Sequence, residues 1–173
     1  MKKFILHISA IILFLSPFSN MARAQASISA HAAAEVIEAL TATETAALNF
    51  GRFSPETSGG EITLSPDGTR RSSGTVILNG GNYTPAVFYI SGQKEATVTI
   101  ALPTNSAFIT NSTNGKTMEV TDWKSYPEAG TGNGLLKNGL LAVNVGATLK
   151  VKSTEDNPVG IYTGTYTVTF SYN

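Results

Sequence analysis

The sequence predicts an all-β fold, an antiparallel β-sandwich of about seven to nine strands, on three observations. Apolar residues recur with a period of two after residue 60, no helical period extends over a useful length, and clusters of Gly, Pro, Asn and Asp separate the alternating runs. Without a helical crossover segment, a parallel α/β sheet is excluded.

The chain opens on Lys2 and Lys3, an apolar run over 4–18, and then "NMARAQA". That is the layout of a secretory signal peptide, cleaved over 1–24. The run is short for a membrane span and is broken by His7, Ser9, Ser16 and Pro17. Ala22 and Ala24 suit cleavage before Gln25, and Ala24 with Ala26 moves the cut two residues on. The expected exported chain, 25–173, is about 149 residues, the size of a single domain with no membrane insertion after cleavage. Loss of Lys2, Lys3 and Arg23 leaves nine Lys and Arg against twelve Asp and Glu, about three net negative charges. With no basic run, nucleic acid and anionic lipid are not expected partners. Cysteine is absent, so the fold must stand on its core.

From the N-terminus, "AHAAAEVIEALTATETAAL" has the alanine and glutamate of a helix. Yet Ile28, Ala30, Ala32, Ala34 and Val36 occupy alternate places with Ser27, Ser29, His31 and Glu35 between them, and the segment 25–38 reads as an edge or donor strand. Ile62 and Leu64 begin the regular alternation, and "SPDGTRRSSG" turns the chain, Pro66 presetting one dihedral and Asp67-Gly68 taking the positive one. Strands through Val76 and Leu78, through "AVFYISG", and through Val98, Ile100 and Leu102 follow, with "NGGNYTP" and Gln93 to Glu95 as connections and Pro103 as a stop. Met118 and Val120 mark a further strand, and "YPEAGTGNG" is a loop by composition. Leu141, Val143, Val145, Leu149 and Val151 share one face of a long strand with Gly146 as bulge or corner. "STEDNPVG" turns into a last strand where Tyr162, Gly164, Tyr166, Val168, Phe170 and Tyr172 alternate with threonine and serine.

Catalytic chemistry is not expected. The exported chain has one histidine, His31, placed as a polar strand residue, and no G-x-S-x-G elbow. Zinc or copper would lack ligands, and Glu155, Asp156 and Asn157 match no EF-hand spacing, so they read as turn residues; no metal and no cofactor are assigned. Asp67 is explained by its turn, and Glu119 and Asp122 bracket no recognisable cleft. Trp123 and Tyr126 beside a glycine-rich loop offer either packing or an aromatic contact for a glycan or protein. Asn82-Tyr83-Thr84 and Asn111-Ser112-Thr113 fit the glycosylation triplet, which matters only in a eukaryotic secretory pathway.

"LNFG" at 48–51, "SPDGTR" at 65–70, "LP" at 102–103, "VNVGATL" at 143–149 and "GIYTGTYTVTFSY" at 160–172 occur together in this order. The set resembles the bacterial secreted family called domain of unknown function 4402, across essentially the whole exported chain. One departure is Ala147, where that family usually has a second glycine, which implies a less extreme backbone at that bend. The resemblance implies an exported β domain and names no activity. The C-terminal strand also resembles the subunits of chaperone-usher pili, in which a glycine fourteen residues from the end precedes an alternating strand and a penultimate aromatic. Gly160, Tyr166, Val168, Phe170 and Tyr172 occupy those places. That resemblance implies an immunoglobulin-like, pilin-like sandwich whose C-terminal strand lines a groove filled by a neighbour's N-terminal strand or by a periplasmic chaperone. Twelve residues, 27–38, would span about 40 Å. Against it, alanines offer little burial at about 0.8 kcal/mol per methylene, and the disulfide common in such subunits is absent.

Two functional readings follow. In the first, the protein is a non-enzymatic fimbrial, structural or adhesive surface subunit that binds identical or related subunits by β-strand addition. The second is a self-contained periplasmic or extracellular binding module, its sandwich closed in cis by 25–38 and its ligand held by the "NGGNYTP" and "YPEAGTGNG" loops.

Overall fold

The structure, a computed structural model, describes residues 25–173. The expected leader over 1–24 lies outside the described residues. The chain divides after Glu35 into two units. In the first, residues 25–35 hold no secondary structure and are exposed. Residues 36–40 of the second unit also lie in no strand, so the strand expected over 25–38 is not formed. The reason is energetic: ordering a residue's backbone costs roughly 1–2 kcal/mol, and a run of alanines buries too little to offset it.

Eleven strands form among the described residues: β1 (Thr41–Ala46), β2 (Phe53–Leu64), β3 (Arg70–Leu78), β4 (Ala86–Ser91), β5 (Thr97–Ala101), β6 (Ala107–Asn111), β7 (Thr117–Tyr126), β8 (Gly130–Leu135), β9 (Leu140–Val151), β10 (Tyr162–Thr163) and β11 (Thr169–Tyr172). Every pairing is antiparallel, and the fold is all-β, as the alternation predicts. The larger sheet runs β1-β4-β9-β7-β6-β10 and takes the β2–β3 hairpin through β2 on β9, while a second sheet runs β11-β5-β8.

The long alternating run is the spine. One edge of β9 pairs with β4 along Leu140–Val145 and then with β2 along Ala147–Val151, and the other edge pairs with β7. Gly146 is the expected corner, because a Cβ there would stand 2.2 Å from the Leu64 carbonyl oxygen. Ala147 is a buried core residue with ordinary backbone. The bulge itself sits across the ladder in β7, where Thr121 and Lys124 oppose Thr148 and Gly146 and Asp122 takes φ 50°. The Asp67-Gly68 turn is as expected: Gly68 has φ 84°, and Asp67 accepts the Thr69 N–H at 2.8 Å.

Two expectations change. Half of "YPEAGTGNG" becomes β8, whose Gly134 stands opposite Val98 and has no room for a side chain, a Cβ there meeting Val98 Cγ2 at 2.6 Å and Leu141 Cδ2 at 2.8 Å. The C-terminal strand changes sheets partway: β10 pairs with β6, β11 pairs with β5, and Gly164–Val168 between them lie in no strand.

Two apolar clusters fill the interior. One gathers Phe50, Ile62, Leu64, Met118, Val120 and Leu149, and the other Ile90, Val98, Ile100, Leu136, Val143 and Val145. Leu48 and Trp123 pack against both.

Candidate functional site

The strand change leaves a seam. A groove of about 880 Å³ lies between the 47–55 connection and the 158–166 segment. Its base, Met118, Val120 and Leu149, is almost free of solvent contact, and half-buried Leu48, Phe53, Ile109, Trp123, Tyr162 and Tyr166 form the walls. Along the rims the main chain lies outside strands except at the Asn49–Thr84 bridge, at Phe53–Pro55, where β2 pairs with β3, and at the short β10.

The walls run antiparallel to each other. At one end the Tyr172 hydroxyl donates to the Glu38 carbonyl oxygen (2.8 Å) and accepts the Gln93 N–H (2.7 Å). Gly92 leaves the space for that hydroxyl, since a Cβ there would meet it at 2.1 Å. Farther along, Phe88, the residue opposite Glu44, packs against Phe170 with ring centres 5.8 Å apart. From Glu38 the chain climbs along β4 through Glu44 to the Asn49–Thr84 bridge, and Arg52 lays its side chain against Gly81.

Each wall is fixed from outside. Arg70 donates from Nη1 to the Phe50 carbonyl (2.8 Å) and from Nη2 to the Asn79 carbonyl (2.9 Å), with its guanidinium 4.3 Å from the Tyr83 ring centre. This clamp ties the "NGGNYTP" loop to the 47–55 wall. On the opposite side, buried Asn111 accepts the Thr113 N–H (2.9 Å) and its side chain lies against Gly160, where a Cβ would meet Asn111 Nδ2 at 2.2 Å. That contact is the physical requirement for the glycine fourteen residues from the end. Neighbouring Asn157, also buried, accepts the Lys152 N–H (2.7 Å) and donates to the Thr117 carbonyl (3.0 Å), holding the "STEDNPVG" turn.

In the middle of the groove the Trp123 and Tyr166 rings lie 4.5 Å apart at 30°. Neither Trp123 Nε1 nor the Tyr166 hydroxyl has a hydrogen-bond partner among the described residues. Burial raises the Tyr166 phenol above its ordinary 10.0, and the Glu44 charge adds to the rise. A raised folded-state pKa stabilises the fold fully below the unfolded value and progressively less as pH climbs. The free energy of unfolding should thus hold below about pH 10, lose ground above it, and lose less in Tyr166→Phe. Urea melts between about pH 8 and pH 11 test this, and equal losses in the two proteins would mean the phenol is solvated.

The remaining sequence candidates scatter. Donor candidates Ile28, Ala30, Ala32, Ala34 and Val36 are exposed, Ile28 at 94% and Val36 at 96%. Groove candidates Gly160 and Tyr166 line the seam, whereas Val168, Phe170 and Tyr172 lie beyond it, packed against the second cluster. His31 is exposed and lies outside the strands. Glu119 and Asp122 both lie within β7. The Glu119 carboxylate accepts from the Ser106 hydroxyl and pairs with Lys150 Nζ at 3.5 Å on the surface, which together hold its pKa below the ordinary value. Among the described residues no group of three or more His, Cys, Asp or Glu is placed to hold a metal ion. Trp123 points into the molecule and Tyr126 out of it. Sequence reasoning missed the 47–55 wall and its Arg70 clamp; the charged Arg70 beside a turn was the available signal.

No curated protein and no solved structure matches the chain. A family model described as "Domain of unknown function (DUF4402)" matches residues 40–172, from the residue before β1 to the last residue of β11, and leaves the 25–39 segment outside. The chain belongs to the DUF4402 family.

Proposed function

We propose that this protein is a non-enzymatic, exported β-sandwich acting through its main chain, a pilus-like structural or adhesive subunit whose seam accepts a β-strand from the 25–38 segment of a neighbouring copy. The observation behind this reading is the apolar groove between 47–55 and 158–166, whose borders are paired at Asn49, at Phe53–Pro55 and at Tyr162–Thr163 and otherwise lie outside strands. An uncovered strand edge above apolar walls is a liability that proteins cover. The segment up to Glu38, where the chain is tied to Tyr172 and Gln93, is exposed, lies in no strand and carries five apolar residues at alternate places, so it is available to a second molecule. A periplasmic chaperone would cover the same seam before assembly.

Two proteins test this, residues 25–173 and residues 39–173. Strand exchange gives polymers from the longer chain only, and a shorter chain whose melting temperature rises on adding a 25–38 peptide. A longer chain that stays monomeric at every concentration, with a shorter chain indifferent to the peptide, would leave the self-contained binding module. That second reading has its own observation: Tyr126 on β7 and Tyr89 on β4, the two strands that flank β9, are exposed, 73% and 54%.

A further inference from the structure

The two exposed tyrosines belong to one patch. Thr43 on β1 and Ala142 on β9 both stand opposite Tyr89, and Val87 on β4 and Tyr126 on β7 both stand opposite Asn144. Residues opposite one another in a ladder share a face, as do residues two apart along a strand, so all six lie on one side of the sheet. Val143 and Val145, which alternate with Ala142 and Asn144, have no solvent contact and point the other way into the core. The side with the tyrosines is therefore the outer one, the reverse of that from which β9 sends Leu149 into the groove. A third row, Thr41, Ser91 and Leu140, continues it.

None of these residues is charged. Farther along the same face Glu119, Lys150 and Glu61 stand side by side, with Lys150 Nζ 3.5 Å from the Glu119 carboxylate. The outer face is thus divided into a charged half and an uncharged half. In the uncharged half Tyr89, Tyr126 and Leu140 are exposed, with small polar groups among them. The Thr41 and Ser91 hydroxyl oxygens lie 2.7 Å apart, and Asn144 donates from Nδ2 to the Pro66 carbonyl oxygen at 3.2 Å.

We infer that this half-face binds an uncharged, extended polysaccharide laid across β4, β9 and β7, with one sugar ring on Tyr89 and another on Tyr126. Size favours such a ligand over a protein. Four strands about 4.8 Å apart and three rows about 6.7 Å apart cover roughly 400 Å², half of the roughly 800 Å² a side that a stable protein–protein contact buries. Sugar rings present C–H faces that pack on aromatic rings, and hydroxyls that suit Thr41, Thr43, Ser91 and Asn144. The tyrosines stand two strands and one row apart, about 12 Å. The chain between them passes over the exposed methyl of Ala142 and over Asn144, which leave the floor low. Both rings are carried by strands laddered to β9, so their spacing exists before the ligand arrives and little is lost in ordering them. An acidic or basic polysaccharide would find no counter-charge here. This binding is independent of strand exchange, which uses the other side of the sheet.

Titrating the 25–173 chain with cellohexaose and with chitohexaose, followed by calorimetry and by amide NMR shifts, tests it. The amides of β4, β9 and β7 around Tyr89, Ala142 and Tyr126 should move. Tyr89→Ala and Tyr126→Ala should each weaken binding about threefold to tenfold, whereas the Phe variants, which keep the ring, should stay within about twofold of the parent. Phe108→Ala removes a ring that is also exposed but stands opposite Glu119 in the charged half, and should leave binding unchanged. All three rings are exposed, so the variants should melt with the parent. Failure of both sugars to bind at millimolar concentration would overturn the inference, as would binding that survives both alanine changes. Self-association of the parent that Tyr126→Ala abolishes would mark the patch as a protein contact and overturn it too.

Discussion

Leu149→Ala should cost about 2–5 kcal/mol of unfolding free energy, the range for removing a fully enclosed leucine. For a domain of this size that lowers the melting temperature by about 4–20 °C. Leu149 has no solvent exposure and sits mid-sheet, with Ile62 opposite it on one side and Val120 on the other. Phe50 and Met118 belong to the same cluster. The neighbours are held in ladders and cannot move inward to fill the space, which places the expected loss toward the upper part of the range. The cavity would open at the base of the groove, so binding of the 25–38 peptide should weaken as well. A loss below about 1 kcal/mol by urea denaturation would mean that Leu149 is not enclosed as described.

Gly146→Val should be nearly as damaging, through crowding. A Cβ at this position falls 2.2 Å from the Leu64 oxygen and 2.8 Å from Ser65 C and Pro66 N. All three are backbone atoms, so no side chain can turn aside to make room. Overpacking of this kind costs about 1–3 kcal/mol and sometimes more, and here relief requires the end of β2 to leave β9. The neighbouring change Ala147→Gly should be milder, about 1 kcal/mol, because it loses one methyl and some rigidity. Thermal unfolding of the two variants separates these effects. If Gly146→Val melts with the parent, the Leu64–Pro66 turn does not lie over that position.

The legible parts of this fold were those whose residues declare their own environment. In β9 the alternation of Leu141, Val143, Val145, Leu149 and Val151 places one face in the core whatever surrounds it, and the Asp67-Gly68 turn is written in two residues. In β8 the backbone is a strand through its pairing with β5, Val98 standing opposite Gly134, so the partner that makes it a strand lies over 30 positions away. The N-terminal alternation is the converse case, since the pattern is that of a strand while residues 25–38 lie in no strand of the isolated chain, its alanines supplying little burial there. The candidate site divides in the same way. Its C-terminal wall was visible in the alternation through Tyr162 and Tyr166. The 47–55 wall, "ALNFGRFSP", has no period and is placed by distant partners, Thr84 through the Asn49 bridge and Arg70 through its two carbonyl contacts.

The shared β9 has a mechanical consequence for how the molecule comes apart. Val143 and Val145 anchor one apolar cluster, Ala147, Leu149 and Val151 anchor the other, and Leu48 and Trp123 lean on both. No boundary exists along which one half could melt and leave the other intact, because tearing out either half strips the same ribbon of its neighbours. The domain is thus built to be lost all at once, and under tension it would hold its full length until it failed as a whole.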